Sequence, residues 1–374
     1  MTISNMGCDQ PPQGLQSFTS LEVICIENCS NFDSFLEVCF ASHLSKLEIR
    51  NCNALTSLPE GMNHKNGGLE ILNIEDCNSV TFIVRGQLPS SLKSLKLTML
   101  SSGPLPESLC HLKIEHVPKL ESIAERFPQN ASLEDICIWD CENLISIPKG
   151  LHNLSHLQKI DVFKCPSIVC FPEGGLPTSL REVVISKCEK LQALPDRFHS
   201  LNSLQKLRIV ECPSMTSFPE YGFPTKITSL EIEDSVNMYK ALVEWGLHNL
   251  TCLTSLDIKG CPGAESFPQQ EMGMLLPDSL TRLNIERFPR LKSLCNHGFQ
   301  SLTSLESLWI SDCSNLICFP EQGLPSSLLE LRILRCPLLK EGCKRDKGIQ
   351  WSKISDIPCV LIDSKFIYDQ EVEA

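Results

Sequence analysis

Aromatic residues are scarce in this chain: Phe, Trp and Tyr make up 6% of 374 residues, with three Tyr and four Trp. A core of stacked rings is thereby excluded, and Leu, Ile and Val must fill the interior. Positive charge is also short. Lys and Arg number 33 against 45 Asp and Glu, a formal net charge of −12 at pH 7. A nucleic-acid backbone needs clustered Lys and Arg, so nucleic acid is not an expected partner. No apolar run reaches the roughly 20 residues that span a bilayer, and no membrane contact is expected. The start, MTISNMGCDQPPQG, lacks the basic region and apolar stretch of a secretory leader. No G-x-x-x-x-G-K-[ST], H-E-x-x-H, G-x-S-x-G or C-x-x-C occurs. Neither a phosphate cradle, a zinc helix nor a nucleophile elbow can be built from this chain, so no enzyme, no cofactor and no metal are expected.

What is abundant is Leu in a fixed spelling. Leu305–Pro320 reads LESLWISDCSNLICFP, with apolar residues at Leu305, Leu308, Ile310, Cys313, Leu316 and Phe319. The same spelling starts at Leu133, Leu157, Leu180, Leu204 and Leu253, and a looser form at Leu21, Leu44, Leu69, Leu92, Leu109, Ile227, Leu280 and Leu328. The thirteen steps from Leu21 to Leu328 cover 307 residues, a mean of about 24. A period of this length in the form L-x-x-L-x-I-x-x-C marks a leucine-rich-repeat solenoid. The second Leu and the Ile are two apart, so they point to one side of a strand. A single strand cannot bury that side alone; stacked units share one core. The expected fold is therefore an α/β repeat: a horseshoe-shaped solenoid with a parallel concave sheet of about fourteen strands and a mostly irregular or 3₁₀ convex side.

Cys occurs 21 times, and ten of these sit in one column: Cys29, Cys52, Cys77, Cys141, Cys165, Cys188, Cys212, Cys261, Cys313 and Cys336. The column lies just past each strand, where Asn is the usual residue and satisfies turn backbone groups. A small buried residue with a weak donor suits that place. The odd total, the column and the missing leader point to reduced thiols in the cytosol or nucleus. The sequons at Asn28, Asn130, Asn153 and Asn249 are then chance matches.

Along the chain, residues 1–20 are polar and rich in Pro and Gly, a lead-in without a cap. The first repeat is expected to be uncovered on its outer side, which calls for something upstream. Repeats fill 21–337, with an irregular junction near 98–108 read as a bend or the scar of a deletion. Two connectors alternate. IPKGLHNLSHL (147–157) can form a short helical or 3₁₀ turn, whereas FPEGGLPTSL (171–180) is blocked by Pro and Gly. Residues 338–363 read as a cap of short helix, turn and last strand near Cys359–Ile362, and 364–374 as a frayed tail.

The informative residues are those between the core positions, because in-register strands about 4.8 Å apart turn them into columns on the concave surface. Trp139 and Phe163 fall side by side there, and with Cys137, Val184 and Val210 they form an apolar patch beside Arg208. Trp309 with Arg332 is a second candidate. A solenoid has no core reason for aromatics at these positions, exposed apolar patches mark interfaces, and Trp is enriched among hot spots. The rest of the face is mixed charge, including Glu27, Arg50, Glu75, Glu115, Glu233, Lys259 and Glu286. Cys137 and Cys141 point to opposite sides and cannot share a metal.

The Cys-type repeat, the FPEGGLP connectors and the tail Cys336-PLLKEGCKRDKGIQWSKISDIPCVLID together resemble the C-terminal repeat region of plant coiled-coil-type nucleotide-binding leucine-rich-repeat (NLR) disease-resistance proteins. The resemblance covers about residues 15–363. It implies protein partners: a pathogen effector or a guarded host protein, and nucleotide-binding (NB-ARC) and coiled-coil domains in cis or in trans. It also implies effector sensing, autoinhibition and a cytoplasmic or nuclear location. Those receptors carry a coiled coil and a nucleotide-binding module before the repeats; neither is present here, so the chain reads as a truncated form and nucleotide binding transfers to none of its residues. The rival readings are a stand-alone leucine-rich-repeat binding protein, a secreted one, and the substrate-adaptor repeats of a ubiquitin ligase. The secreted form needs a leader, and the adaptor needs a helical segment before the repeats.

Overall fold

The computed structural model describes residues 2–4, 20–31, 43–56, 68–77, 88–97, 105–118, 120–129, 131–216, 222–269 and 273–368. They divide into two compact units, Met1–Ser203 and Leu204–Ala374.

In the first unit, each repeat start is followed two residues later by a short strand: β2 (Val23–Glu27), β3 (Lys46–Arg50), β4 (Ile71–Glu75), β5 (Ser94–Leu97), β6 (His111–Glu115), β7 (Asp135–Trp139), β8 (Lys159–Phe163) and β9 (Glu182–Ser186). All pair in parallel with their sequence neighbours, and core Leu and Ile meet their counterparts in register, as Ile136 meets Ile160 and Ile138 meets Val162. The short step at Leu109 leaves the ladder unbroken, since β5 and β6 pair directly. Of the junction read as a bend, residues 98–104 lie outside the described residues. One strand was not expected. β1 (Thr2–Ser4) pairs in parallel with β2, so the segment read as an uncapped lead-in covers an edge of the first repeat's strand.

The second unit repeats the pattern with β10 (Lys206–Val210), β11 (Ser229–Glu233), β12 (Ser255–Lys259), β14 (Arg282–Glu286), β16 (Ser307–Ser311), β17 (Glu330–Leu334) and the closing β18 (Cys359–Ile362). Away from this sheet, β13 (Ser266–Phe267) and β15 (Ser293–Leu294) form a small parallel pair of their own. Leu305, Leu308, Ile310, Cys313, Leu316 and Phe319 are all fully buried. Burying one such side chain is worth about 1.5–3 kcal/mol, which is why the spelling cannot drift.

The Cys column is buried, and its thiols, those of Cys77, Cys165 and Cys313 among them, make hydrogen bonds that close the turns. The residue before each Cys is left-handed, for example Asn28, Asn51, Asp76, Asp140, Lys164 and Lys187, with φ between 51° and 56°. The thiol donates back to the carbonyl two residues earlier, at 3.2 Å for Cys77 to Glu75 and 3.4 Å for Cys165 to Phe163. It also lies 3.6–3.9 Å from a strand carbonyl of the preceding repeat, as Cys165 to Ile138 and Cys77 to Ile49. Where the column holds Ser235, the hydroxyl does the same work, donating to Glu233 and accepting the Cys212 N–H, each at 3.1 Å.

The connectors divide as expected: 3₁₀ turns stand at Leu151–Asn153, Phe198–Ser200 and Leu247–Asn249, and residues 171–180 are non-helical. One element departs from the irregular convex side. Helix α1 (Val236–Trp245) is ten residues long and buries Met238, Tyr239, Leu242 and Val243 on one face. Tyr239 meets Phe288 edge-on at 6.4 Å, and Phe288 meets Phe267 at 6.0 Å, an aromatic cluster in a chain poor in aromatics. Two four- to six-residue helices, α2 (Asn296–Phe299) and α3 (Pro337–Gly342), follow. Residues 364–368, within the segment read as a frayed tail, carry structure, and residues 369–374 lie outside the described residues. β19 (Lys365–Phe366) turns back antiparallel on β18, and the Tyr368 hydroxyl lies 2.6 Å from the Ile357 carbonyl.

Candidate functional site

The open face of the first unit falls into two parts. Over β2–β6 the charged side chains neutralise one another. Arg50 contacts Glu27 at 3.1 Å and both Glu48 and Glu75 at 3.4 Å. Lys96 bridges Glu75 and Glu115, each at 2.9 Å, and Lys113 adds a contact to Glu115 at 2.8 Å. This lattice presents paired charge, which gives a partner little to gain.

At β7 and β8 apolar rings enter the face, beside further ion pairs of Lys159 with Glu182 at 3.7 Å and of Lys164 with Asp140 at 2.7 Å. Trp139 stands directly opposite Phe163, and Cys137 opposite Asp161, which in turn faces Val184. Phe163 is 37% exposed, and Trp139, Cys137 and Val184 are half-buried. Lys113 Nζ lies 4.3 Å from the Trp139 ring centre and Lys187 Nζ lies 5.8 Å from that of Phe163. Both rings are therefore flanked by cations, which strengthens their hold on geometry. The Trp139 Nε1–H is shielded and has no acceptor among the described residues. Burial, with help from Asp161, pushes the Cys137 thiol up to about 11, so it is a packing group and not a nucleophile.

The remaining predicted residues lie in the second unit. Arg208 is half exposed and pairs with Glu231 at 3.0 Å. Val210 is only 5% exposed, so it offers a partner almost nothing and is withdrawn from the patch. Its short side chain stands opposite Glu233 and does not reach past it. Trp309 stands opposite Arg332, whose guanidinium lies 4.5 Å from the ring centre, with Arg282 at 6.0 Å. The Trp309 Nε1–H points to Glu330 at 3.4 Å, and Glu330 also holds Arg332 at 2.7 Å. This second cluster is pre-ordered by its own charges. Arg282 and Glu330 escape a reading by columns alone; the signal that could have found them is the long charged side chain at the first strand position.

Among the described residues no three His, Cys, Asp or Glu gather as a metal site, and no helix is long and apolar enough to cross a membrane. His111 and His116 pair with Asp135 and Asp140 at 2.8 and 2.9 Å on the exposed rim.

Comparison with known proteins agrees with this architecture. The family of plant disease resistance protein RPS2-like leucine-rich repeats matches residues 36–166. A putative disease resistance protein of Arabidopsis thaliana is 34% identical over 335 residues, covering 86% of this chain and 23% of that protein. Disease resistance protein RPS4B of the same plant is 26% identical over 175 residues, covering 44% and 14%. The chain thus spans less than a quarter of either relative. Among solved structures, a TLR13–ssRNA13 complex aligns with a TM-score of 0.62 at 16% identity, covering 93% of this chain and 54% of that one. The leucine-rich effector YopM of Yersinia pestis aligns at 0.53 and 20%, covering 96% and 87%. At such identities the two structures speak for the fold alone.

Proposed function

The chain is a leucine-rich-repeat region of the plant disease-resistance type, and from that premise we propose that it is a non-enzymatic recognition module. Its open face binds a protein, a pathogen effector or a host protein that such an effector modifies. In this reading the module senses that partner and restrains a nucleotide-binding partner domain, in cis or in trans, inside the plant cell. The observation that carries the proposal is the Trp139–Phe163 pair. Two large apolar rings stand side by side on the solvent face of β7 and β8, next to the charge lattice of β2–β6. The fold gains only the flanking contacts of Lys113 and Lys187 from rings at these positions, whereas an interface gains a desolvated anchor.

The test is the double substitution Trp139→Ala with Phe163→Ala, expressed in leaves with a panel of pathogen effectors. The expected result is an unchanged circular dichroism spectrum and melting profile, with loss of the effector-dependent defence response. Partner affinity should fall at least about 30-fold, as for anchors worth about 2 kcal/mol or more. If the double variant unfolds, the rings are structural; if it folds and responds normally, the face is not the interface.

A further inference from the structure

The cap that closes the second unit carries charge of the opposite sign to the molecule as a whole. Residues 337–368 hold six Lys and Arg against four Asp and Glu, an excess of two positive charges in a chain of net charge −12. Three of the cations are consumed: Lys340 by Asp363 at 2.6 Å, Lys344 by Glu341 at 2.5 Å and Arg345 by Asp346 at 3.6 Å. Lys347, Lys353 and Lys365 have no ion-pair partner among the described residues, although Lys353 reaches the Phe319 carbonyl at 3.4 Å. One carboxylate is left over beside them, that of Asp356, which takes the Ser355 hydroxyl at 3.3 Å. Next to Lys347 stands Ile349, 76% exposed, the most exposed of the large apolar side chains described. Its neighbour imposes that exposure. Gln350 is buried; its side-chain carbonyl accepts the Phe319 N–H at 3.1 Å, and its own N–H donates to the Gly342 carbonyl at 2.8 Å. Ile349 is thus held in water on a fixed turn, at a cost that a covering apolar group would recover.

The chain's own continuation starts beside this surface. Tyr368 is fastened to the cap. Its hydroxyl lies 3.2, 3.1 and 2.6 Å from the carbonyls of Ile354, Ser355 and Ile357, and its ring meets Trp351 at 6.3 Å. The segment that follows, residues 369–374, reads DQEVEA: three carboxylates, one Val and no cation. Six residues span up to about 20 Å, whereas two and four residues of chain keep Ile349 and Lys347 within about 7 and 14 Å of Trp351. The acidic segment can therefore reach Ile349 and all three lysines. Its covalent link supplies it there at an effective concentration of millimolar order.

We propose that residues 369–374 fold back over the cap as an autoinhibitory cover. Their carboxylates pair with Lys347, Lys353 and Lys365, and Val372 shields Ile349. A basic surface with an apolar centre is thereby closed to acidic segments of other proteins until the tail is displaced. The contact does not involve the Trp139–Phe163 face, which belongs to the other unit, so the two readings fail separately.

The test follows the Ile349 methyl resonance in the full chain labelled with ¹³C at isoleucine methyls, assigned with Ile349→Val. The variant Asp369→Asn, Glu371→Gln, Glu373→Gln should move Ile349 and leave the other isoleucines in place. Raising salt from about 0.05 to about 0.5 M should carry the parent to the variant's position and leave the variant unmoved. A free peptide of residues 369–374, added to the variant, should restore the parental position only at about millimolar concentration. Lys347→Gln with Lys353→Gln, added to that variant, should weaken the peptide at least about fivefold. Coincident Ile349 resonances in parent and variant at low salt overturn the proposal. So does a difference that vanishes when the parent is diluted from about 500 to about 20 μM, which would assign the tail to a second copy. If the variant disturbs other isoleucines, the salt titration of the parent decides: an Ile349 resonance that stays fixed overturns the proposal.

Discussion

Replacing Cys77 separates two accounts of the thiol column. Cys77 is fully buried. Its sulfur accepts the Cys52 N–H at 3.4 Å, donates to the Glu75 carbonyl at 3.2 Å, and lies 3.9 Å from the Ile49 carbonyl. Cys77→Ala removes about one methylene equivalent of buried surface, near 0.8 kcal/mol. It also leaves the buried Cys52 N–H without its acceptor, about 1–2 kcal/mol more. The expected loss is about 2–3 kcal/mol. Cys77→Val fills the volume but cannot accept, so it should lose about 1–2 kcal/mol. Cys77→Ser keeps both hydrogen-bonding roles, as Ser235 does in the equivalent slot at 3.1 Å on each side, and should lose about 1 kcal/mol or less. Urea unfolding followed by circular dichroism checks the order, provided the slopes agree. If Val matches the parent and Ser falls below Ala, the column is apolar filling and the turn-closing role assigned to the thiols is wrong.

The remaining predictions follow the same contacts. Lys164 holds the Asp140 carboxyl below its usual range, Arg335 that of Asp312, and Lys340 that of Asp363. A carboxyl depressed in the folded state stabilises above its unfolded pKa and loses that contribution as pH falls through the folded one. Stability should therefore hold near neutrality and decline below about pH 4, the more weakly at high salt; an acid-stable melting profile would refute the pairing. Gly222 has φ of 84° and a Cβ there would stand 2.0 Å from the Trp245 indole nitrogen, so Gly222→Ala should lose more than about 1 kcal/mol, read by thermal melting. Tyr368→Phe removes the hydroxyl that reaches the Ile357 carbonyl, and should cost about 1 kcal/mol and speed hydrogen exchange at Lys365–Phe366. Leu308→Ala, at a fully buried strand position, should cost about 2–5 kcal/mol.

Much of the fold was legible because the repeat spelling is physically over-determined. A strand, a turn and an inward return must each recur, and each leaves its own residue: Leu308 and Ile310 for the strand, Cys313 for the turn, Leu316 for the return. The adjacency of Trp139 and Phe163 follows from the same arithmetic, since equal positions in successive repeats must pair. Helix α1 was missed although Met238, Tyr239, Leu242 and Val243 have the spacing of a buried helical face; the repeat spelling masked it. Burial of Val210 was not legible, because a column predicts which side a residue faces and not how far its neighbours overshadow it. Pairing by Thr2–Ser4 was hidden by the polar residues around a three-residue strand.

The amino-acid sequence by itself determined the period, the register of the strands, the inward positions and the identity of the residues on the open face. Those depend on contacts between equal positions one repeat apart, and a period is enough to define them. Only the tertiary structure decided which long side chains consume one another and which surface is left for a partner. Arg287 passes over Gly260 to Asp234, and Arg50 gathers Glu27, Glu48 and Glu75, while Phe163 stays exposed. A flexible charged chain can reach several partners at similar cost, so its choice is set by the distances and vacancies that folding creates, and no spacing along the chain specifies it.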